Sequence, residues 1–332
     1  MHKKNYIIFN PTADHGKAVK HIAQIEAAMD EMSIPYKLEL TRSSGHAIEL
    51  AREAAGLSLK GKRGKGESYG TIVAAGGDGT VNEVINGLMT AKGGPGSDSS
   101  HGGDFPDFGV IPVGRGNDFA YGAGVPHNIE QACRLLKGDS VYSMDVGRVT
   151  GGYYPEGRYF GNGIGIGFDT MVGLEAAKVT WIPGFLGYVY GALKMLIVYP
   201  SAPRIRIMFE DRENRTIETF SPQISVMNGR RMGGTFYMAP DSINHDGQLD
   251  LCMAQGKLKR KQLMKAMGQY TRGTQARNPV IYTDRASVFR IEALEGDLVC
   301  HADGETICTD GKELLVECVP HAMRIKSAPL EN

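Results

Sequence analysis

Gly76-Gly77-Asp78-Gly79-Thr80 sets a carboxylate among glycines, directly after the apolar run Thr71-Ile72-Val73-Ala74-Ala75 and directly before a helix-like segment from Val81 to Leu88. Glycines at such a strand-to-helix turn let backbone N–H groups close around phosphate oxygens, and the helix N-terminus favours negative charge. Asp78 is itself negative, so it suits a phosphate cradle only if a magnesium ion lies between carboxylate and phosphates. A tight turn with an aspartate at the helix cap is the plainer alternative.

A second element, Ile111-Pro112-Val113-Gly114-Arg115-Gly116-Asn117-Asp118-Phe119-Ala120, repeats the arrangement of strand, small residues and Asp. A third runs from Asn10-Pro11 to Gly16-Lys17 and offers Lys17 to phosphate, although a solvated turn has the same composition. Loops of this type at neighbouring strand ends would form a nucleotide cleft.

The elements that must position these loops alternate. Strand-like Tyr6–Phe9 is followed by Val19, Ile22, Ala23, Ile25 and Met29 at helical spacing. Strand-like Tyr36–Leu40 precedes a helix predicted from near Ser44, and Phe108–Ile111 is a fourth strand. This order predicts a parallel α/β sheet with ligands at its carboxyl edge. Beyond about Val141 short β-like runs recur at Arg158–Asn162, Arg204–Phe209, Ile224–Met227, Leu249–Met253 and Ala286–Ile291. They predict an antiparallel sandwich or barrel-like second domain, interrupted by helical stretches at Thr170–Val198 and Lys259–Tyr270.

Composition narrows the classes. The 37 basic residues equal the 37 acidic ones, so there is no general electrostatic case for nucleic acid. Five cysteines without a C-x-x-C pair argue against a disulfide framework and a zinc site. The start of the chain lacks a signal-peptide apolar region, and Trp181–Pro200, the most membrane-like stretch, carries glycines, prolines and Lys194. A cytoplasmic protein is expected, with peripheral membrane contact compatible with its surface.

The run GGDGTVNEVINGL, Gly76 to Leu88, resembles the signature of the diacylglycerol kinase catalytic family, which includes bacterial lipid kinases and sphingosine kinases. The similarity extends over nearly the whole chain. Thr41 with Gly45-His46-Ala47, Asn162 with Gly165, Gly167 and Asp169, Asn228-Gly229, Gly233-Gly234, Pro240, Asp246-Gly247 with Leu249-Asp250, and Asp303-Gly304-Glu305 all match family motifs. The resemblance implies an α/β nucleotide-binding domain (1–140 and 311–332) and a mainly antiparallel β-sandwich lipid-substrate domain (141–310), in the NAD kinase/diacylglycerol kinase-like fold. It implies ATP and Mg2+ as cofactors. Asn10, Lys17, Thr41, Gly76, Gly77, Asp78, Gly79, Thr80, Val81, Asn82, Gly114, Arg115, Asn117 and Asp118 would meet the nucleotide, and Asp78 would serve the catalytic magnesium. Asp303 or Glu305 would accept the proton of a lipid hydroxyl. A structural magnesium would lie around Ile243, Asp246 and Gln248, where a turn is the alternative.

The expected reaction is phosphoryl transfer to a lipid, diacylglycerol first, then phosphatidylglycerol, undecaprenol or a sphingoid base. Expected partners are the lipid substrate and a transient membrane surface, with no nucleic acid; a homodimer is compatible with the sequence. A NAD kinase-like phosphotransferase and a non-catalytic, nucleotide-regulated lipid-binding protein are the alternatives. Three features depart from the family pattern. Asp14 stands at a usual glycine, Arg115 at a usual threonine, and Lys92–Asp104 is inserted before Phe105. Arg115 would clamp a phosphate or point to solvent. Two basic segments, Lys60–Lys65 and Lys257–Lys265, are solvated faces or membrane-attracted ones, and Trp181–Pro200 is a buried helix or a lid on the lipid cleft.

Overall fold

The computed structural model describes residues 4–61, 68–91, 105–178, 185–198, 201–213 and 215–328. The inserted segment 92–104 and most of the basic Lys60–Lys65 loop lie outside them, as do Trp181 and its neighbours to Gly184. The chain divides into two units, Met1–Val146 with Val319–Asn332, and Gly147–Cys318.

In the first unit, β1 (Lys4–Phe9), β2 (Tyr36–Leu40), β3 (Tyr69–Gly76) and β4 (Asp107–Pro112) pair in parallel in the order β2-β1-β3-β4. Their apolar runs are continuous because both faces of the central strands are covered. On one face α1 (Ile22–Glu31) and α5 (Ile129–Lys137) pack Ile25, Met29, Cys133 and Leu136 on Ile7, Phe9, Val73 and Ile111. Elsewhere α2 (His46–Gly61) and α3 (Asp78–Ala91) pack on each other and on β3. Gly87 makes that approach close: a Cβ there would stand 2.5 Å from the Ile48 carbonyl oxygen. This glycine of the signature run therefore serves helix packing.

The helix expected from Ser44 begins at His46, and its N-terminus is capped from outside. Glu83 of α3 accepts hydrogen bonds from the Gly45 N–H (2.9 Å) and the Ala47 N–H (3.2 Å). Those N–H groups would otherwise lack intrahelical partners.

The second unit is a sandwich of two antiparallel sheets. One carries β13 (Val288–Glu295) between β8 (Arg204–Phe209) and the first part of β16 (Glu313–Lys326), with β9 (Thr216–Phe220) beyond β8. The other runs β12 (Ile281–Ala286), β11 (Leu249–Ala254), β10 (Gln223–Met227), β7 (Gly163–Gly167), β14 (Leu298–Ala302), β15 (Glu305–Gly311). Between them lies a core that includes Phe160, Ile166, Phe209, Val226, Leu251 and Phe289.

Two sequence expectations need correction here. Ala286–Ile291 is not one strand. It breaks at Ser287, where the chain leaves β12 of one sheet for β13 of the other, and Asp211 holds the corner by accepting the Ser287 N–H at 2.7 Å. Thr170–Val198 is not one helix but two, α6 (Phe168–Ala177) and α7 (Phe185–Val198). The last helix, α8 (Arg260–Tyr270), follows its expected span.

Candidate active site

Parallel register brings four loops to one edge of the first unit. Phe9 sits opposite both Leu40 and Ala75, and Gly76 opposite Pro112, so the loops opening at Asn10, Thr41, Gly77 and Val113 leave the sheet side by side. The strand order reverses direction between β1 and β3, the point at which open α/β sheets bind ligands. Asn10 bridges that point, its Nδ2 donating to Thr80 Oγ1 at 3.0 Å. Thr41 is tied to the same edge by its N–H on the Phe9 carbonyl at 2.8 Å.

The second and third loops touch so closely that only glycine fits. A Cβ on Gly114 would lie 2.3 Å from the Cα of Gly77. Asn117, in the left-handed region at φ 50°, ties the turn by accepting the Gly114 N–H and donating to the Gly114 carbonyl. Asp78 opens α3 and accepts the Phe119 N–H at 3.0 Å. Gly116 lies between two carboxylates: a Cβ there would be 2.8 Å from Asp78 Oδ2 and 3.5 Å from Asp118 Oδ2. Asp78 retains some solvent access yet is densely packed, and burial pushes its carboxyl above the usual carboxylate range, against the pull of the N–H groups of Phe119, Asp118 and Asn117. Gly79 is exposed, Val81 and Asn82 are buried in the first turns of α3, and Lys17 is exposed.

Two of the departures from the family pattern turn out to be one feature. Arg115 Nε faces Asp14 Oδ1 at 3.6 Å, joining the first loop to the second. Asp14 sits at φ 48° in a left-handed run with His15 and Gly16, a conformation that glycine adopts most easily and aspartate tolerates.

In the second unit, Asp303 sits at φ 47° in the turn between β14 and β15. Its carboxylate receives three backbone N–H groups: Gly161 at 2.7 Å on Oδ2, then Asn162 at 3.1 Å and Gly163 at 2.9 Å on Oδ1. Glu305, two residues on, is half-buried.

His301, which the sequence did not single out, stands on β14 just before this turn. Its Nδ1 accepts the Gly304 N–H at 3.3 Å, and its Nε2 faces Asp169 Oδ2 at 3.9 Å. Asp169, at the start of α6, is pushed above the usual carboxylate range by burial, with His301 pulling it down. A lone histidine in a β-strand carries no spacing signal, so only the β7–β14 pairing, which sets His301 opposite Gly165, reveals it.

The Ile243–Gln248 segment is a turn before β11. Asp246 Oδ1 accepts the Gln248 N–H at 3.0 Å, Asp246 Oδ2 faces Arg285 Nη1 at 3.6 Å, and the Ile243 side chain is exposed. A cation there would compete with Arg285. Among the described residues no three His, Cys, Asp or Glu side chains converge as a metal cluster. A cavity of about 270 Å³ lies at the opposite edge of the parallel sheet, lined by Asn5, Thr71, Asp107, Arg324 and Lys326. Its cations Arg324 and Lys326 face Asp107 at 3.1 and 3.5 Å.

Comparison with known proteins agrees with this fold. The model of the diacylglycerol kinase catalytic domain matches residues 4–149, and that of the YegS C-terminal NAD kinase beta sandwich-like domain matches residues 162–327. The chain belongs to the diacylglycerol kinase family. A relative named "Probable lipid kinase YegS" from Escherichia coli O9:H4 is 27% identical over 95% of this chain and 94% of its own length. A crystal structure from Bacillus anthracis str. Sterne that carries the diacylglycerol kinase name covers 99% of this chain and 98% of that one, with a TM-score of 0.73 at 22% identity. The fold extends to yeast NADH kinase, with a TM-score of 0.50 at 9% identity over 98% of this chain and 83% of that one. This member of a lipid kinase family is thus an α/β domain followed by a β-sandwich. Among the described residues no helix is long and apolar enough to cross a membrane.

Proposed function

We propose that this enzyme transfers the γ-phosphoryl group of ATP to a lipid hydroxyl, with diacylglycerol as acceptor and magnesium as the accompanying cation. The observation that carries the reading is the meeting of the Gly76 and Gly114 loops around Asp78 and Asp118 at the carboxyl edge of the sheet. Two carboxylates against one glycine repel each other unless a cation lies between them, and hard divalent ions take this donor set. Asp78 and Asp118 would hold magnesium, with phosphate oxygens and water completing its shell. Bound there, it would neutralise charge on the β- and γ-phosphates.

The chain's own groups then do the rest. The first-turn N–H groups of α3 and its dipole attract the phosphates. Asn10, bonded to Thr80, holds the first loop against the cradle. Asp303 accepts the proton of the attacking hydroxyl, because three N–H groups fix the carboxylate's direction. Glu305 lacks that anchoring and is assigned the accessory role. A lipid alcohol needs its base only as transfer proceeds, so positioning and charge neutralisation supply most of the acceleration.

The acceptor is tested with purified protein, labelled ATP and magnesium, offering diacylglycerol, phosphatidylglycerol, undecaprenol, a sphingoid base and NAD separately. Label in phosphatidic acid is the expected result. Label in another lipid would replace the acceptor, and label in NADP would replace the reading.

A further inference from the structure

Three helices of the second unit share one small core. Phe168 and Val172 of α6, Met195 of α7 and Leu263 of α8 are buried together, and Gly191 lets α7 approach α6 so closely that a Cβ would stand 2.6 Å from the Val172 carbonyl. Arg260, at the start of α8, donates from Nη2 to the Ile197 carbonyl at 2.7 Å, satisfying an end-of-helix acceptor of α7. The last turns of α7 are thereby fixed beside the first turn of α8.

With their inner faces committed, both helices leave apolar side chains in water. Leu193 and Ile197, four residues apart on α7, are 56% and 71% exposed, and Met264 on α8 is 58% exposed. Lys261 and Lys265 flank Met264 on the outer side of α8 and are exposed as well. From Gln255 to Thr283 the sequence has no Asp or Glu, although seven Lys and Arg residues fall there. Glu175, which could neutralise this charge, is occupied by Lys178 and Lys194, each at 2.6 Å. Exposed apolar groups thus lie beside exposed lysines, and contiguous exposed apolar surface rimmed by polar residues marks an interaction site.

We propose that the joined outer faces of α7 and α8 dock this enzyme on an anionic lipid bilayer. Leu193, Ile197 and Met264 would enter the boundary between head groups and acyl chains, while Lys261 and Lys265 meet lipid phosphates. Charge complementarity selects this occupant. A second copy related by a two-fold axis would set lysines against lysines, since such an interface uses the same patch on both partners. The proposal goes beyond the assignment of a lipid acceptor, because it concerns the surface on which the enzyme works.

The test is co-sedimentation of the full chain, without ATP or magnesium, with vesicles of phosphatidylcholine alone and of phosphatidylcholine mixed equally with phosphatidylglycerol. Binding to the mixed vesicles only, weakening as salt rises from ~0.05 M to ~0.5 M, is expected. Lys261→Glu with Lys265→Glu should weaken it at least about tenfold, and Leu193→Asp with Ile197→Asp by a similar factor. Equal binding to both vesicle types would overturn the proposal. So would binding that either double variant leaves unchanged, or no binding together with concentration-dependent self-association that the same variants abolish. Both variants should keep phosphotransfer to a detergent-dispersed acceptor, so failure of docking and failure of the kinase reading are read separately.

Discussion

Asp78 and Asp303 are held in opposite ways. Asp303 is anchored by three backbone N–H groups at 2.7–3.1 Å, which fix the carboxylate's direction. Asp78 has its own backbone donors, but desolvation is the larger influence on it and another carboxylate, Asp118, lies against the same glycine. The first residue stabilises its turn. The second is a buried carboxyl whose charged form is disfavoured by desolvation. On the proposed mechanism, charge is tolerated where a cation would neutralise it, and fixed by backbone where its direction matters.

The contrast breaks if the two positions respond alike to amide substitution. Asp78→Asn should lower phosphotransfer by at least about a hundredfold while raising the melting temperature of the ligand-free protein, because the amide keeps an acceptor for Phe119 and carries no buried charge. Asp303→Asn should also cost about a hundredfold or more in rate but lower the melting temperature. An NH2 group turned toward N–H donors leaves at least one of them unpaired, at about 1–3 kcal/mol. Glu305→Gln should change the rate by less than about tenfold, since an accessory group contributes less than the base itself. A larger loss at Glu305 than at Asp303 would exchange their roles.

The pH dependence sharpens the same comparison. The carboxyl of Asp78 is raised in the folded state above an unfolded value near 3.9. Between those two values the folded protein binds more protons than the unfolded one, so this residue's contribution to stability falls as pH rises. It is fully present below the unfolded value and lost once pH passes the folded one. Chemical denaturation of Asp78→Asn across that window should therefore show a smaller decline than the wild type. Adding magnesium with nucleotide should offset the decline in the wild type but not in the variant.

The smallest effect is expected at the Asp14–Arg115 pair. Arg115 is 47% exposed at its side chain and the separation is 3.6 Å, so the pair is worth at most about 0.5 kcal/mol. Asp14→Gly removes it but relieves the left-handed backbone at φ 48°, so urea unfolding should shift by less than about 0.5 kcal/mol in either direction. A change of several-fold in the KM for ATP without a change in stability would show that Arg115 instead reaches the nucleotide.

How much of this was legible in the sequence depends on the range of the interaction. The parallel sheet was, because buried strands and amphipathic helices follow one another with local signals, and the three glycine-bearing loops follow from their place after strands. The role of Glu83 was not: it caps a helix that begins 37 residues earlier in the chain. The pairing of Asp14 with Arg115 was equally hidden, although each departure was visible alone. His301 has no motif, and its proximity to Asp169 arises only when β7 and β14 pair. The strands β9, β14 and β15 escaped because runs of five, five and seven residues give too short a pattern to read. The break at Ser287 escaped because β-like residues continue through it.

The most direct test of the account is transfer of labelled phosphate from ATP to a total bacterial lipid extract by wild type and Asp78→Asn side by side, with magnesium present. The account predicts one labelled lipid with the wild type and at least about a hundredfold less with the variant, although the variant is the more stable protein. A folded, ATP-binding wild type that labels no lipid, or a variant that labels it equally well, would contradict the account.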